Sequence, residues 1–127
     1  MTSGANPGTG PLTREQIEAI EATLLPTLDR HHLRLQAHCL ATFQQMASPL
    51  QQGPLPNRQR WQCWCEQQPQ LIDDPDFVEL LMMQFTVIAT QLEDLASGLG
   101  ISPLELRLED LIRHSETASR QRLESSV

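Results

Sequence analysis

Lysine and tyrosine are both absent from this chain of 127 residues, so all 9 fixed positive side chains are arginine. Without lysine there is no Schiff-base chemistry and no phosphate-gripping lysine of a nucleotide-binding loop. Cations are also outnumbered, 9 against 16 acidic residues, for a net charge of -7. That balance disfavours DNA, RNA or an anionic membrane as the main partner. Long apolar runs are missing as well. The most apolar stretch is interrupted by Glu79, Gln84, Gln91, Glu93 and Asp94, whereas a bilayer-spanning helix needs about 20 consecutive apolar residues. No membrane partner is expected. Three cysteines do not build a disulfide framework, and no basic patch followed by an apolar run opens the chain. The expectation is a cytoplasmic chain with reduced thiols and no signal peptide. Strand-like alternation of useful length does not occur, and no Gly-x-Ser-x-Gly or other nucleophile-and-base pairing is present. The chain is therefore not expected to be an enzyme, and no catalytic residue, cofactor or metal is assigned.

Helical periodicity is abundant. Asp73 to Gly100 carries Phe77, Leu81, Phe85, Ile88, Leu92, Leu95 and Leu99 in one row, with Val78, Met82, Ala89 and Ala96 beside it. Met83 and Val87 widen the face further. Asp73 and Asp74 suit a cap, Pro75 the first helical position, and Gly98 or Gly100 a left-handed stop. A helix apolar nearly all round reads as the buried centre of its domain, with Phe85 and Ile88 in the core. Upstream, Thr13 and Gln16 form a capping-box pattern ahead of Ile17, Ile20, Leu24 and Leu28. Pro26 kinks or restarts this first helix, which continues to about Ala47. Ser48 to Pro56, with three prolines and a glycine, is a loop. Asn57 caps a short helix ending before Pro69, and Pro69 to Ile72 is a second loop. Ser102-Pro103-Leu104-Glu105 is the strongest start signal in the chain and opens the last helix. The whole is an all-α bundle of three long helices and one short one, a single domain over 12–124. Residues 1–11, mostly Gly, Pro, Ser and Thr, form a disordered tail.

Several constellations invite a metal. His31 and His38, like His32 and Cys39, are seven residues apart, a rise of about 10.5 Å that is too long for one zinc. Cys63 and Cys65 fall on opposite sides of a helix. A metal or redox sensor would need the short helix to bring its cysteines against His32 or Cys39. Asp29 and His32 make one acidic-x-x-His pair where a di-iron bundle uses two, and they read as a local hydrogen bond. Gly98-Leu-Gly-Ile-Ser-Pro103 lacks the third glycine and the preceding strand of a dinucleotide fingerprint. The terminal Ser125-Ser126-Val127 fits the loose pattern of peptides read by strand-adding domains.

Leu92 to Leu106, with Leu95-Ala96 followed by Leu99-Gly-Ile-Ser102, resembles the core of repressor-type helix-turn-helix motifs. The resemblance implies a DNA-binding regulator whose second helix reads bases over 92–113. That second helix, however, carries Glu105, Glu109 and Asp110 against Arg107, where a DNA reader needs Arg, Lys, Asn or Gln. The favoured reading is a non-enzymatic regulatory or adaptor protein that binds another protein, with self-association into a homodimer as a further route. Arg58, Arg60, Trp61 and Trp64 are the expected contact residues. They lie on one short helix between proline-bearing loops, and Trp and Arg concentrate at binding hot spots.

Overall fold

The computed structural model describes residues 12–125, and every regular element among them is helical. The expected tail over 1–11 and the terminal dipeptide lie outside the described residues. Six α-helices form: α1 (Arg14–Glu21), α2 (Thr27–Ala47), α3 (Arg58–Glu66), α4 (Pro69–Ile72), α5 (Pro75–Leu99) and α6 (Leu108–Ser125), with a 3₁₀ turn over Pro103–Glu105. The all-α class stands, but the count of three long helices and one short one does not. The segment before Ala47 restarts at Pro26 and so counts as two helices, Pro69 to Ile72 is a helical turn rather than a loop, and the last helix starts five residues later than expected.

Each difference has a local cause. The Thr13–Gln16 box closes as expected, with the Gln16 N–H donating to Thr13 Oγ1 at 3.1 Å and the Thr13 N–H to Gln16 Oε1 at 2.9 Å. The helix then stops at Glu21, and the Thr23 hydroxyl donates to the Ile20 carbonyl at 2.7 Å. Pro26 becomes the cap of α2. Leu25 is buried in this link, while Leu24 is 99% exposed and Leu28 83% exposed, so neither continues the inner face of Ile17 and Ile20. Pro69 serves as the first residue of α4, where its missing N–H costs nothing.

The hub is α2 rather than α5. Helices α1, α3, α5, α6 and the 3₁₀ turn all pack on α2, whereas α5 meets α2, α3, α4 and the 3₁₀ turn. Leu33, Gln36, Ala37, Cys39, Leu40, Thr42, Phe43 and Met46 of α2 are all buried. Two of these are polar, and both are satisfied: Gln36 Nε2 donates to Gln91 Oε1 at 2.9 Å, and the Thr42 hydroxyl to the His38 carbonyl at 2.9 Å. Helix α5 starts as expected, with the Asp74 carboxylate accepting the Phe77 N–H at 3.1 Å, and ends at Gly100, whose φ of 73° is left-handed. Phe85 and Ile88 are core residues, each 1% exposed. The expectation that α5 is enclosed all round fails along one side, described below.

The corner after α5 is a latch. The Ser102 N–H and hydroxyl both donate to Glu105 Oε2, at 2.9 and 2.6 Å, and these bonds hold the Glu105 carboxyl below its ordinary value. The Ser102 hydroxyl also accepts the Gly53 N–H at 2.8 Å, and the Gly53 carbonyl accepts from the Leu104 N–H at 3.2 Å. Gly53 itself sits at φ 121°, a conformation that other residues rarely adopt. Gln44 of α2 completes the tie by donating Nε2 to the Leu104 and Leu106 carbonyls at 3.2 and 3.0 Å. Ser102→Ala is therefore expected to cost on the order of 1 kcal/mol and to loosen the 48–56 loop as well. A urea melt gives the first quantity and amide exchange at Gly53 the second.

Candidate functional site

The four residues expected to form a contact surface divide between the core and the surface. Asn57 caps α3 by accepting the Arg60 N–H at 2.9 Å, which aims the helix across α2 and α5. Trp61 then points inward and is buried. Its ring lies 5.5 Å from Phe43 and 5.7 Å from Phe85, Phe43 and Phe85 are 5.1 Å apart, and Trp64 meets Phe85 edge-on at 6.3 Å. Trp64 is half-buried at the rim of this cluster. Arg60 is exposed, but its Nη2 donates to the Met46 carbonyl at 3.0 Å, capping the end of α2. Arg58, also exposed, reaches Thr86 of α5 at 3.4 Å and lines a groove of about 530 Å³ between α3 and α5.

The more apolar feature lies on the other flank of α5. Phe77 is 47% exposed, Leu80 62%, Met83 60% and Val87 56%. These positions recur every three or four residues and so form one row down three turns of the helix. Four of the five aromatic residues of the chain make up the internal cluster, and the fifth, Phe77, heads this outer row. His32 and Leu35 of α2 form the opposite wall of the resulting groove, of about 450 Å³. The periodicity of α5 registered these residues, but Met83 and Val87 read there as a widening of the core. What sequence reasoning missed is that no element among the described residues packs over them.

The remaining constellations resolve into structural roles. Among the described residues no group of three or more His, Cys, Asp or Glu side chains is placed to hold a metal ion. Cys39, Cys63 and Cys65 are free thiols. Burial pushes Cys39 up to about 12 and also raises Cys65, the latter with help from the Glu66 charge. Both thiols stay protonated and shielded at neutral pH, whereas Cys63 is exposed. Brief alkylation of the native protein is expected to label Cys63 alone, seen as a single adduct by mass spectrometry, with three adducts after denaturation. Burial first and Arg34 second push His38 below its ordinary value, which keeps it neutral. The Asp29 carboxylate takes a bond from Arg122 of α6 rather than serving His32, and both border a cavity of about 630 Å³ between α2, α5 and α6.

In the segment that resembles a helix-turn-helix, the second helix starts later than expected, at Leu108. Between Gly100 and Leu108 the chain makes a 3₁₀ turn and then an extended step at Leu106, whose side chain is buried. Arg107, the cation expected near the start of a reading helix, pairs with Glu109 at 3.6 Å, and its N–H donates to Asp110 Oδ2 at 2.9 Å. Helix α6 then packs on α2. Among the described residues no helix is long and apolar enough to cross a membrane.

Residues 12–122 match a family model described as NDH complex assembly factor CRR9. No curated protein and no solved structure matches the chain. The matched span runs from the buried Leu12 to Arg122 in α6, so it takes in the aromatic cluster, the outer row of α5 and the Asp29–Arg122 tie.

Proposed function

The chain belongs to the CRR9 family of NDH complex assembly factors, and from that premise we propose that it works by binding another polypeptide, without chemistry of its own, through the outer row of α5. The observation that carries this reading is the exposure of Phe77, Leu80, Met83 and Val87 in one continuous helical row. Single exposed apolar residues are ordinary on a protein surface, but a contiguous row bordering a groove marks an interaction site. The partner is a component of the NDH complex or of an intermediate on the way to it. Arg58 and the edge of Trp64, both on α3, lie beside the far flank of α5 and form a second, smaller contact.

The test is made in cells that carry the protein. Replacing Leu80 and Val87 together with Glu puts two charges into the row and removes nothing from the buried core. The variant should melt like the parent, while the assembled NDH complex, resolved on native gels, should fall several-fold towards the level seen without the chain. Unchanged assembly with the variant, in cells where loss of the chain does lower it, would move the site elsewhere. Unchanged assembly without the chain would end the assembly reading altogether.

A further inference from the structure

We propose that the segment seated on this row is a basic amphipathic helix of the partner, lying along the α2–α5 groove with its cations over the start of α5. The inference rests on the protein-binding reading above and adds the chemistry of what is bound. Groove length is the first argument. From Phe77 to Val87 the row runs ten residues, a rise of about 15 Å, which matches about three turns of a docked helix presenting residues three and four apart. Its lining is apolar apart from His32 and Gln84, so the buried side of the occupant is apolar too.

Charge supplies the second argument. Helix α5 contains no lysine or arginine, and its charged residues are Asp76, Glu79, Glu93 and Asp94. Glu79, which is exposed, lies on the α3 side of the helix, whereas Asp73, Asp74 and Asp76 are exposed at the start of α5, where the row begins. A segment with lysine or arginine along its flank meets opposite charge there, and an acidic one meets like charge. The same fact argues against a second copy of the chain. Two such rows brought together would set α5 against α5, a helix that carries carboxylates and no cations. Residues 1–11 are equally unsuited as an internal occupant, since Met1 is their only large apolar residue.

The experiment uses the full chain and two labelled synthetic peptides of about 18 residues, five helical turns. They share one leucine row and differ only in a lysine or a glutamate polar face. Fluorescence anisotropy should show the lysine peptide binding at least about tenfold more tightly, with the advantage shrinking as salt rises. Leu80→Glu is the decisive variant, because it removes apolar contact while adding negative charge. It should weaken the lysine peptide about tenfold, and Val87→Glu should do the same. Asp73→Asn with Asp76→Asn should weaken it several-fold and leave the glutamate peptide unaffected or improved. Tighter binding by Leu80→Glu would reveal mere attraction to an acidic protein and overturn the proposal. Equal affinity for the two peptides would overturn the charge argument. A dimer in sedimentation that Leu80→Glu dissolves would make the occupant a second copy. The two readings separate cleanly. If the peptides behave equally while the Leu80 and Val87 variant still depletes the NDH complex, the occupant is wrong and the surface stands. If the peptides discriminate but assembly is untouched, the function is wrong.

Discussion

Phe85→Ala is expected to lower the free energy of unfolding by roughly 3–5 kcal/mol, measured as a shift in the urea midpoint at constant slope. Phe85 is 1% exposed and is the one ring of the internal cluster in contact with all three others, Phe43 from α2 and Trp61 and Trp64 from α3. Its removal leaves a void where three helices meet. The surrounding rings are anchored on α2 and α3, which limits how far they can move into that void. Domains of this size are stable by about 5–15 kcal/mol in total, so the variant should be close to unfolding at growth temperature. A loss below about 1 kcal/mol would mean that the helices can close over the gap, and that the cluster is less central than its geometry indicates.

Trp61 gives the second large effect, and a contrast within it. Trp61→Ala should cost roughly 3–5 kcal/mol for the same reason as Phe85. Trp61→Phe should cost about 1 kcal/mol or less, far below what the lost ring volume alone suggests. Trp61 Nε1 is buried and has no hydrogen-bond partner among the described residues. An N–H in that position forfeits its water and gains nothing, a penalty of about 1–3 kcal/mol. Phenylalanine keeps a ring against Phe43 and Phe85 and removes the orphaned donor, so the two changes largely offset. Urea melts of the two variants side by side check this. Equal losses would mean that the indole N–H finds an acceptor in solution. The same packing predicts that an aqueous quencher reaches the half-buried Trp64 and leaves Trp61 bright.

Where the signal was local and repeated, the sequence was a good guide. Thr13 with Gln16, Asn57, Asp74 with Pro75, and Gly100 all mark helix ends where the caps indicate, because a cap is a contact between residues three or four apart. Ser102 with Glu105 formed its bonds too, yet opened a 3₁₀ turn. The missing information was the pull of distant partners, Gly53 on Ser102 and Gln44 on the carbonyls of Leu104 and Leu106. The choice of hub failed for a related reason. Hydropathy ranks α5 above α2, but Gln36, Thr42 and Cys39 are buried in α2 because Gln91 and the His38 carbonyl satisfy the two polar groups. A pairing across 55 residues leaves no trace in local periodicity. The site was half legible. The row on α5 was visible as apolar residues, but whether a row faces core or water depends on what packs over it. Trp61 and Trp64 share one side of a short helix, and only the packing against Phe43 and Phe85 decides which ring goes in.

Because α2 is the hub and α6 packs on it, the chain has a consequence during its own synthesis. The Asp29–Arg122 tie closes across 93 residues. As the polypeptide leaves the ribosome, at about 5–20 residues per second, α2 emerges early and α5 can cover one of its sides. The side meant for Leu111 stays bare until the last helix is free of the exit tunnel. Over that interval the nascent protein shows two apolar surfaces: one that α6 will cover, and the outer row of α5 that it will keep. Premature termination before α6 would therefore leave a fragment with that side of α2 uncovered.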